Sequence, residues 1–388
     1  MRVLHFASWH PNRVHPQLGN FVARHIAAVA PQAASTVVHA WPDSARLLQR
    51  RQLADEAGKE GVERILTAYV PNRPPRRWRV ERAYGRLCER LDREGYRPDV
   101  VHLHIAAEAA IPAVQWAEKW RAPLVVSENW TAYHAEHGRF FRQKEERAVK
   151  QALQAAALHL PVSEHLARAM ARYAPDVPQR VVPNVVEAHF AVPSQRRGTA
   201  GALRLLHVSS MRDEHKNISG MLRAVAAAVS HGADVVLDCY GGAGEGGAEL
   251  PKYMDLAAGL GLTDRVAFHG PADPVAVAEA MGRADALVLF SRFENLPCVL
   301  LEAWSTGLPV LATDVGGVGE HLRDRPALGA LVASEDEAGL VAAIQQRARM
   351  KSAGEGADEA AIVAYATQRF TPGAVGAGLI EAYRSVLP

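Results

Sequence analysis

Two glutamates, Glu294 and Glu302, are the side chains best placed to do chemistry, because they lie between two strand-like runs and the neighbours of Glu302 are apolar. Pro297 suits the first position of a helix, and Gly307 suits the position after its end. Glu294 is therefore expected in the loop before that helix and Glu302 inside it. A carboxylate among apolar neighbours needs a partner, which favours a ligand role for Glu302 over a solvated position. The N–H groups at the helix start would point at a bound anion, and a sugar diphosphate suits this arrangement.

Two cations form a second group of candidate ligands. Arg212 and Lys216 lie in a polar segment between the apolar run Leu203–Val208 and a helical pattern, Ile218–Ser230. Cations in such a loop can hold a diphosphate through charge-assisted hydrogen bonds. The alternative is that both are solvated loop residues.

The elements that must position these side chains follow from alternation along the chain. Short, continuous apolar runs are typical of strands covered on both faces, and longer helical patterns lie between them. This alternation predicts βα units, parallel sheets and an α/β fold. The predicted strands are Val3–Ala7, Thr36–Ala40, Val100–His104, Leu124–Ser127, Leu158–Val162, Leu203–Val208, Val235–Tyr240, Val266–His269, Ala286–Phe290 and Val310–Ala312.

The chain length of 388 residues predicts two or three domains. Residues 191–202 are rich in Pro, Ser, Arg and Gly and lack periodicity, so they are expected to form a linker. Residues 1–190 and 203–371 then form two Rossmann-like domains of similar size. A last helical pattern, residues 372–388, begins with a proline that suits the first turn, and it is expected to pack back on the first domain.

Composition excludes several classes of protein. Apolar residues make up 48% and charged residues 22% of the chain, which is typical of a folded globular protein. A net charge of +2 gives no reason to expect nucleic acid. Three cysteines fit a reducing compartment, and apolar runs are too short for a membrane span or a signal peptide. The expected location is the cytoplasm, with peripheral contact on the inner face of the membrane left open.

Together these motifs resemble the retaining GT-B glycosyltransferases of family 4. Glu294 and Glu302 match the Glu-x7-Glu motif of that family, and Gly307-Leu-Pro-Val310 matches its flank. The segment Asp314-Val-Gly-Gly-Val-Gly-Glu320 is similar to the Gly-Gly turn that closes the donor site. The resemblance implies two Rossmann-like domains facing a central cleft. It also implies transfer of a hexose-type sugar from a nucleotide sugar to a hydroxyl of a saccharide or lipid-linked acceptor, with retention and without a metal.

The resemblance assigns roles in the second half. Glu302 would hold the ribose hydroxyls of the nucleotide, and Glu294 would hold the donor sugar. Lys216 matches the lysine on the diphosphate. The usual arginine position falls on Ser210 or Met211, so Arg212 is the nearest replacement. The backbone after the first glutamate completes the donor-binding set, which comprises Asn295 (where many members have Gly), Leu296 and Pro297.

The resemblance also assigns residues in the first half. Gly19 lies in the loop after the first strand, which would face the donor diphosphate and the acceptor. His104 ends a strand and would lie near the sugar and the departing phosphate, while His102 would be a packing or surface residue. Glu128 and Asn129 follow another strand on the acceptor side, and Asn129 departs from the histidine that is common there.

A basic segment with interleaved aromatic residues precedes the third predicted strand. Trp78 and Tyr84 are expected on an apolar helix face. One interpretation is a solvated helix with a core stripe, and the other is contact with an anionic membrane or a lipid diphosphate. No nucleic-acid motif accompanies the charge. The cations in question are Arg76, Arg77, Arg79 and Arg82.

The sequence predicts no metal and no cofactor. It contains no Asp-x-Asp for a metal diphosphate and no zinc spacing. Gly242, Gly244 and Gly247 match a dinucleotide fingerprint, but they follow the second strand of their half rather than the first. Two alternatives stay open: a nucleotide-sugar epimerase on the same fold, and a binding or scaffold protein with an inactive site.

Overall fold

The computed structural model describes residues 1–44, 52–58, 61–134, 143–191, 201–242 and 250–388. Most of the predicted linker, and Gly244 and Gly247 of the glycine-rich turn, lie outside these residues. The chain divides into two units, Met1–Val185 with Pro372–Pro388, and Val186–Thr371. No helix in the described ranges has the length and apolar character needed to cross a membrane.

The described part of the first unit contains a seven-stranded sheet. Its neighbouring strands are parallel, except that β3 and β4 are antiparallel. The six parallel strands follow the 3-2-1-4-5-6 order of a Rossmann-like sheet. Across the sheet the strands are β3 (Gln52–Ala57), β4 (Arg64–Pro71), β2 (Ala34–Asp43), β1 (Arg2–Ala7), β5 (Val100–His104), β6 (Leu124–Glu128) and β7 (Leu158–Pro161).

Helices connect these strands. They are α1 (Asn20–Val29), α2 (Arg76–Arg93), α3 (Ala110–Trp120), α4 (Gln143–Ala155), α5 (Glu164–Ala171) and α14 (Pro372–Ser385), with a 3₁₀ turn at Thr131–Tyr133. Helix α14 belongs to this unit because Leu379 and Tyr383 pack in one buried cluster with Val3 and Val100 of the sheet.

The second unit has a six-stranded parallel sheet in the same 3-2-1-4-5-6 order. Across the sheet the strands are β10 (Val266–Gly270), β9 (Val235–Gly241), β8 (Leu203–Ser209), β11 (Ala286–Leu289), β12 (Val310–Thr313) and β13 (Gly329–Val332). The helices are α6 (Asp213–Lys216), α7 (Ile218–Ser230), α8 (Leu250–Gly259), α9 (Pro274–Arg283), α10 (Cys298–Ser305), α11 (Val318–Leu322), α12 (Glu337–Ser352) and α13 (Glu359–Phe370). The 3₁₀ turns are Ala188–Phe190 and Pro326–Leu328.

The predicted fold class is confirmed, since both units are α/β with the expected parallel strands. All ten predicted strands are present, with ends that differ by a few residues. Strands β3, β4 and β13 were not predicted from the sequence. Strand β3 is rich in polar residues, β4 begins at Arg64 and contains Thr67 among its apolar residues, and β13 is a short edge strand that begins at Gly329.

The boundary between the units differs from the predicted one. Residues 186–190 were assigned to the first domain, but they belong to the second unit. The N–H of Val186 donates to the carbonyl of Phe370 at 2.8 Å, and the Ala188–Phe190 turn contacts α9 and α10. These contacts attach the segment to the second unit before the predicted linker begins.

Two glycines of α14 give a prediction about packing in the first unit. A Cβ at Gly376 would lie 2.2 Å from the carbonyl oxygen of Ala28 in α1, whereas a Cβ at Gly378 would meet nothing within 4 Å. Gly376→Ala should therefore destabilise the unit by about 1–3 kcal/mol through overpacking. Gly378→Ala should stabilise it by about 0.4–1 kcal/mol, because alanine restricts the unfolded chain. Urea unfolding of both variants measures this; midpoints that shift in the same direction would contradict it.

Candidate active site

Lys216 and Glu294 meet at the carboxyl edge of the second sheet. Strands β8 and β11 are neighbours there although β9 and β10 separate them along the chain, so this is the point where the strand order reverses. Lys216 ends α6, which follows β8, and Glu294 lies in the loop after β11. Oε1 of Glu294 accepts a hydrogen bond from Nζ of Lys216 and another, at 2.8 Å, from Oγ of Ser291. The structure therefore brings together two predicted donor ligands from distant parts of the sequence.

Left-handed backbone positions fix the turn that carries Lys216. Met211 and Asn217, with φ of 56° and 49°, flank the single turn of α6. Asn217 tolerates this conformation, and its side chain also caps the next helix by accepting from the N–H of Gly220 at 3.3 Å. Lys216 is thus held between two changes of backbone direction.

Arg292 ties this turn to the Glu294 loop, and the sequence analysis missed it. Its N–H donates to the carbonyl of His215 at 2.8 Å, and its guanidinium donates to the carbonyl of Asp213. The guanidinium also donates to Oδ1 of Asn217 at 2.7 Å and to Glu335 at 2.7 Å. The signal that could have revealed it is a cation in the loop after a buried strand, two residues before a candidate ligand.

The Gly-Gly turn packs on the backbone of the same loop. A Cβ at Gly316, which has a φ of 57°, would lie 1.9 Å from the carbonyl oxygen of Glu294. The N–H of Gly317 donates to the carbonyl of Asn295 at 2.6 Å. Since only glycine leaves room at residue 316, the turn after β12 determines where Glu294 lies.

Helix α10 is present where the sequence predicts it, but it begins at Cys298, so Pro297 is the N-cap and not the first helical residue. Proline has no side-chain group that could cap the first turn of the helix. Glu302 lies inside α10 and is only 8% exposed, so it is not a solvated helix residue. Asn295 and Leu296 are buried as well. The donor-binding roles of these residues stay predictions.

Arg212 stands apart from this cluster. It is exposed at the N-cap of α6, and its carbonyl accepts from the N–H of Lys216 at 2.8 Å. Within the part of the chain that the structure describes, its guanidinium forms no ion pair. Its role as the replacement for the family arginine stays a prediction.

Gly19 lies in the first unit, in the loop between β1 and α1, where it is the N-cap of the helix. Its φ is 66°, and a Cβ there would lie 2.6 Å from the carbonyl oxygen of Trp9. A side chain at this position would therefore push the loop after β1 apart. The close approach explains why glycine stands here, whereas its contact with a donor stays a prediction.

His104 is buried in a histidine network beneath α14. It is 1% exposed, and its Nε2 lies 3.0 Å from Nδ1 of His5. His102 is a buried packing residue, whose ring nitrogens lie 2.7 Å from the hydroxyls of Tyr383 and Ser127. Burial lowers the pKa of His5 to about 3 and holds the pKa values of His102 and His104 well below the usual range, so all three are neutral.

One nitrogen from each of these three rings lies within 4.8 Å of the other two, a spacing that a metal ion could use. Hydrogen bonds to neighbouring side chains involve every ring nitrogen except Nδ1 of His104. A metal would have to displace these bonds in an apolar core. The cluster is therefore explained as a packing network, and a contact of His104 with a sugar stays a prediction.

Glu128 is fully buried at the end of β6. Its Oε1 accepts from the N–H of Ala106 at 2.6 Å and from the hydroxyl of Tyr133 at 2.7 Å. Burial raises the pKa of this carboxyl to about 7. The next residue, Asn129, donates to Oδ1 of Asn184 at 2.6 Å. Glu128 therefore positions the loops after β5 and β6, and direct contact with an acceptor stays a prediction.

A cavity of about 500 Å³ opens at this edge of the first sheet, and the sequence analysis did not anticipate it. Its lining includes Trp9, Trp41 and Trp130, all half-buried. The signal was available, because Trp9 and Trp130 each follow a predicted strand. The other lining residues are Arg76, Arg77, Ala106, Ala107, Glu108, Glu145 and Val149.

The four arginines of the basic segment do not share one surface role. Arg76 and Arg77 line the cavity, and Arg77 pairs with Glu81 at 2.7 Å. Arg82 lies 5.1 Å from the ring of Trp78. The expectation that Trp78 lies on the core face is wrong, because it is 51% exposed. The buried stripe of α2 is formed by Val80, Ala83, Tyr84, Leu87, Cys88 and Leu91.

The structure is thus an α/β protein of two Rossmann-like units, with a cluster of charged residues at the switch point of the second. Residues 21–190 match the family model described as Glycosyltransferase Family 4, and residues 202–349 match the model described as Glycosyl transferases group 1. These two matches cover most of the chain. The protein therefore belongs to the GT-B glycosyltransferases, the class that its sequence resembles, while retention at the anomeric carbon stays a prediction.

Curated relatives match over shorter stretches. The chain is 37% identical over 103 residues to a D-inositol 3-phosphate glycosyltransferase of Nocardia farcinica, covering 26% of this chain and 23% of the relative. It is 34% identical over 119 residues to an N-acetyl-alpha-D-glucosaminyl L-malate synthase of Bacillus anthracis, covering 31% and 29%. The matches thus span about a quarter of these relatives.

Solved structures match over the whole chain. HepE of Anabaena in complex with UDP has a TM-score of 0.76 at 17% identity, with 100% of both chains covered. Sucrose-phosphate synthase of Thermosynechococcus elongatus also has a TM-score of 0.76 at 17% identity, covering 100% of this chain and 99% of the other. At this identity the likeness establishes the shared fold.

Arg292 gives a stability prediction. Arg292→Ala removes hydrogen bonds from a charged donor to two elements, each bond being worth about 1.5–3 kcal/mol, so we expect a loss of at least about 1.5 kcal/mol. The control is Arg283→Ala, which removes an exposed pair with Glu279 and should cost about 0.5 kcal/mol or less. Urea unfolding measures both free energies. An equally small loss in the two variants would show that Arg292 does not hold the turn.

Glu128 gives a prediction about pH. Its folded pKa of about 7 lies above the usual value of 4.5, so the folded protein binds the proton more tightly than the unfolded chain. The contribution of this tighter proton binding to the free energy of unfolding is fully present below about pH 4.5. It is lost as the pH rises through about 7. Glu128→Gln removes the titration. Wild type should therefore lose up to about 3 kcal/mol relative to the variant between about pH 5 and about pH 8. Parallel stability curves would contradict this.

Proposed function

We propose that this protein is a retaining glycosyltransferase that uses a nucleotide sugar and needs no metal. It transfers a hexose-type sugar to a hydroxyl of a saccharide or lipid-linked acceptor. The observation that carries the proposal is the contact of Lys216 with Glu294 at the switch point of the second unit. Solved neighbours of the same fold hold UDP and UDP-glucose, which supports a nucleotide-sugar donor.

The charges suit the bond that breaks. As the bond between C1 of the sugar and the phosphate oxygen stretches, negative charge develops on the phosphate. The ammonium of Lys216 and the N–H groups at the start of α10 stabilise that charge, with Arg212 as a further donor. The carboxylate of Glu294 accepts hydrogen bonds from sugar hydroxyls, and Glu302 accepts those of the ribose.

Retention follows if the acceptor oxygen attacks C1 from the face that the phosphate leaves. The C1–O bond to the acceptor forms, the C1–O bond to the phosphate breaks, and the acceptor proton moves to the departing phosphate. This route requires no protein nucleophile. The cationic groups of the chain take the part of a divalent ion, in keeping with a sequence that lacks Asp-x-Asp.

Membrane contact through Arg76, Arg77, Arg79 and Arg82 stays part of this proposal for a lipid-linked acceptor. Arg76 and Arg82 are exposed, and Trp78 beside them is a side chain that membrane interfaces favour. A solved neighbour at 17% identity is a lipopolysaccharide outer core galactosyltransferase, which is compatible with such an acceptor.

Two variants separate the roles of the donor ligands. Lys216→Ala should lower kcat more than it raises KM, because the phosphate gains charge mainly in the transition state. Glu302→Gln should mainly raise the KM for the donor, because it removes charge from hydrogen bonds to ribose that persist in both states. Release of free nucleotide from a panel of UDP-, GDP- and ADP-sugars measures both parameters. Lys252→Ala, an exposed lysine on α8, is the control.

The same assay tests the rest of the proposal. Activity should survive EDTA, and a loss restored by Mg²⁺ would reveal a metal requirement. An isomerised donor in place of free nucleotide would indicate an epimerase. No turnover of any donor, with and without saccharide acceptors, would favour a binding protein with an inactive site.

A further inference from the structure

The cavity of the first unit has an apolar, aromatic wall. Trp9 follows β1, Trp41 lies near the end of β2, and Trp130 follows β6, so three strands deliver indole rings to one edge of the sheet. The rings of Trp9 and Trp130 pack edge to face, with centroids 5.6 Å apart. Trp41 packs against the rings of His15 and His39. Because these contacts hold the indoles, little side-chain entropy is left to lose when a ligand binds.

The polar part of the lining carries both signs of charge. Arg76 and Arg77 begin α2, Glu108 precedes α3, and Glu145 lies on α4. Arg76 and Glu108 lie 3.5 Å apart, which is long for a charged hydrogen bond, so this weak contact can be exchanged for hydrogen bonds to ligand hydroxyls. Among the lining residues that the structure describes, two guanidinium groups and two carboxylates balance, so these side chains offer no excess positive charge for an anion.

A pyranose ring has the complementary chemistry. Its axial C–H groups form an apolar face that fits the face of an indole ring. Its vicinal hydroxyls donate to carboxylates and accept from guanidinium groups. The volume of about 500 Å³ lies in the range of small-ligand sites and accommodates one or two sugar rings.

We propose that this cavity binds an uncharged sugar ring of the acceptor, with Trp41 as its stacking surface and Glu108 as a hydrogen-bond acceptor for its hydroxyls. The inference rests on the proposed function, because it gives that reaction an acceptor of defined chemistry. Glu108 also selects against a phosphorylated sugar, since its carboxylate repels a second anion in the same cavity.

The test measures binding without catalysis. Methyl glucoside, methyl galactoside, methyl mannoside and methyl N-acetylglucosaminide, each paired with its 6-phosphate, are titrated into the full chain and followed by saturation-transfer-difference NMR. At least one uncharged glycoside should bind more tightly than its 6-phosphate. Trp41→Ala should weaken that binding at least about fivefold, and Trp41→Phe should restore most of it.

Two further variants make the test specific. Trp78→Ala removes an exposed tryptophan from the same region of α2 outside the lining, and it should leave the glycoside affinity unchanged. Glu108→Gln should weaken binding of the neutral glycoside and strengthen binding of its 6-phosphate. The ratio of the two affinities should therefore fall or reverse. Equal effects of Trp41→Ala and Trp78→Ala, or a wild-type preference for every 6-phosphate, would overturn the proposal.

A vesicle experiment separates this cavity from a membrane surface. If wild type binds acidic phosphatidylglycerol vesicles in a salt-dependent way, loses that binding when Arg76 and Arg77 are replaced by Gln, and gives no glycoside signal, the cavity inference fails. Nucleotide release is measured on the same proteins. Glycoside binding without donor turnover would contradict only the proposed function. Donor turnover without glycoside binding would contradict only the cavity inference.

Discussion

The ammonium of Lys216 and the carboxylate of Glu294 form the contact on which the organisation of the second unit depends. The two residues are 78 positions apart, and only the adjacency of β8 and β11 brings them together. Both side chains are mostly buried, and removing one partner would leave a poorly solvated charge. The parallel order of the sheet is therefore a condition for the site as well as for the core.

Such a pair needs a rigid backbone on both sides. On the Lys216 side, Asn217 in a left-handed conformation ends α6, and Arg292 donates to the same turn. On the Glu294 side, Gly316 allows a neighbouring turn to approach within van der Waals contact of the loop. Three loops from three adjacent strands thus determine one another's positions. A nucleotide sugar would enter a site whose charges are already held in place, which lowers the reorganisation needed during reaction.

Features of the fold and of the candidate site that depend on local sequence pattern could be predicted from the sequence. Continuous apolar runs located ten strands, and Pro297 and Gly307 placed Glu294 before a helix and Glu302 inside it. The spacing of the glutamates then indicated the family. Features that depend on tertiary packing could not be read this way. Three partners of Arg292 lie on a turn that precedes it by more than 70 residues, and the hydrogen bond of His102 depends on Tyr383 of α14 at the other end of the chain.

The aromatic residues of the basic segment also show that local pattern does not predict tertiary packing. Helical spacing predicted that Trp78 would lie beside Tyr84 on the core face. The helix starts at Arg76, so Trp78 lies in its first turn, and the buried stripe begins only at Val80. Periodicity describes which residues share a face, but it does not determine how far along the helix that face is covered.

Both units use the same strand order, yet their carboxyl edges differ in charge. In the second unit, an ammonium, a carboxylate and a guanidinium meet at the reversal between β8 and β11. In the first, the reversal between β1 and β5 is filled by histidines that burial keeps neutral, and Glu128 nearby has a pKa raised to about 7. Stabilising a developing phosphate charge would need fixed cations, and the proposed function therefore assigns that task to the buried Lys216 of the second unit. The neutral, aromatic edge of the first unit suits an uncharged hydroxyl-bearing substrate, whose recognition depends on stacking and hydrogen bonds rather than on net charge.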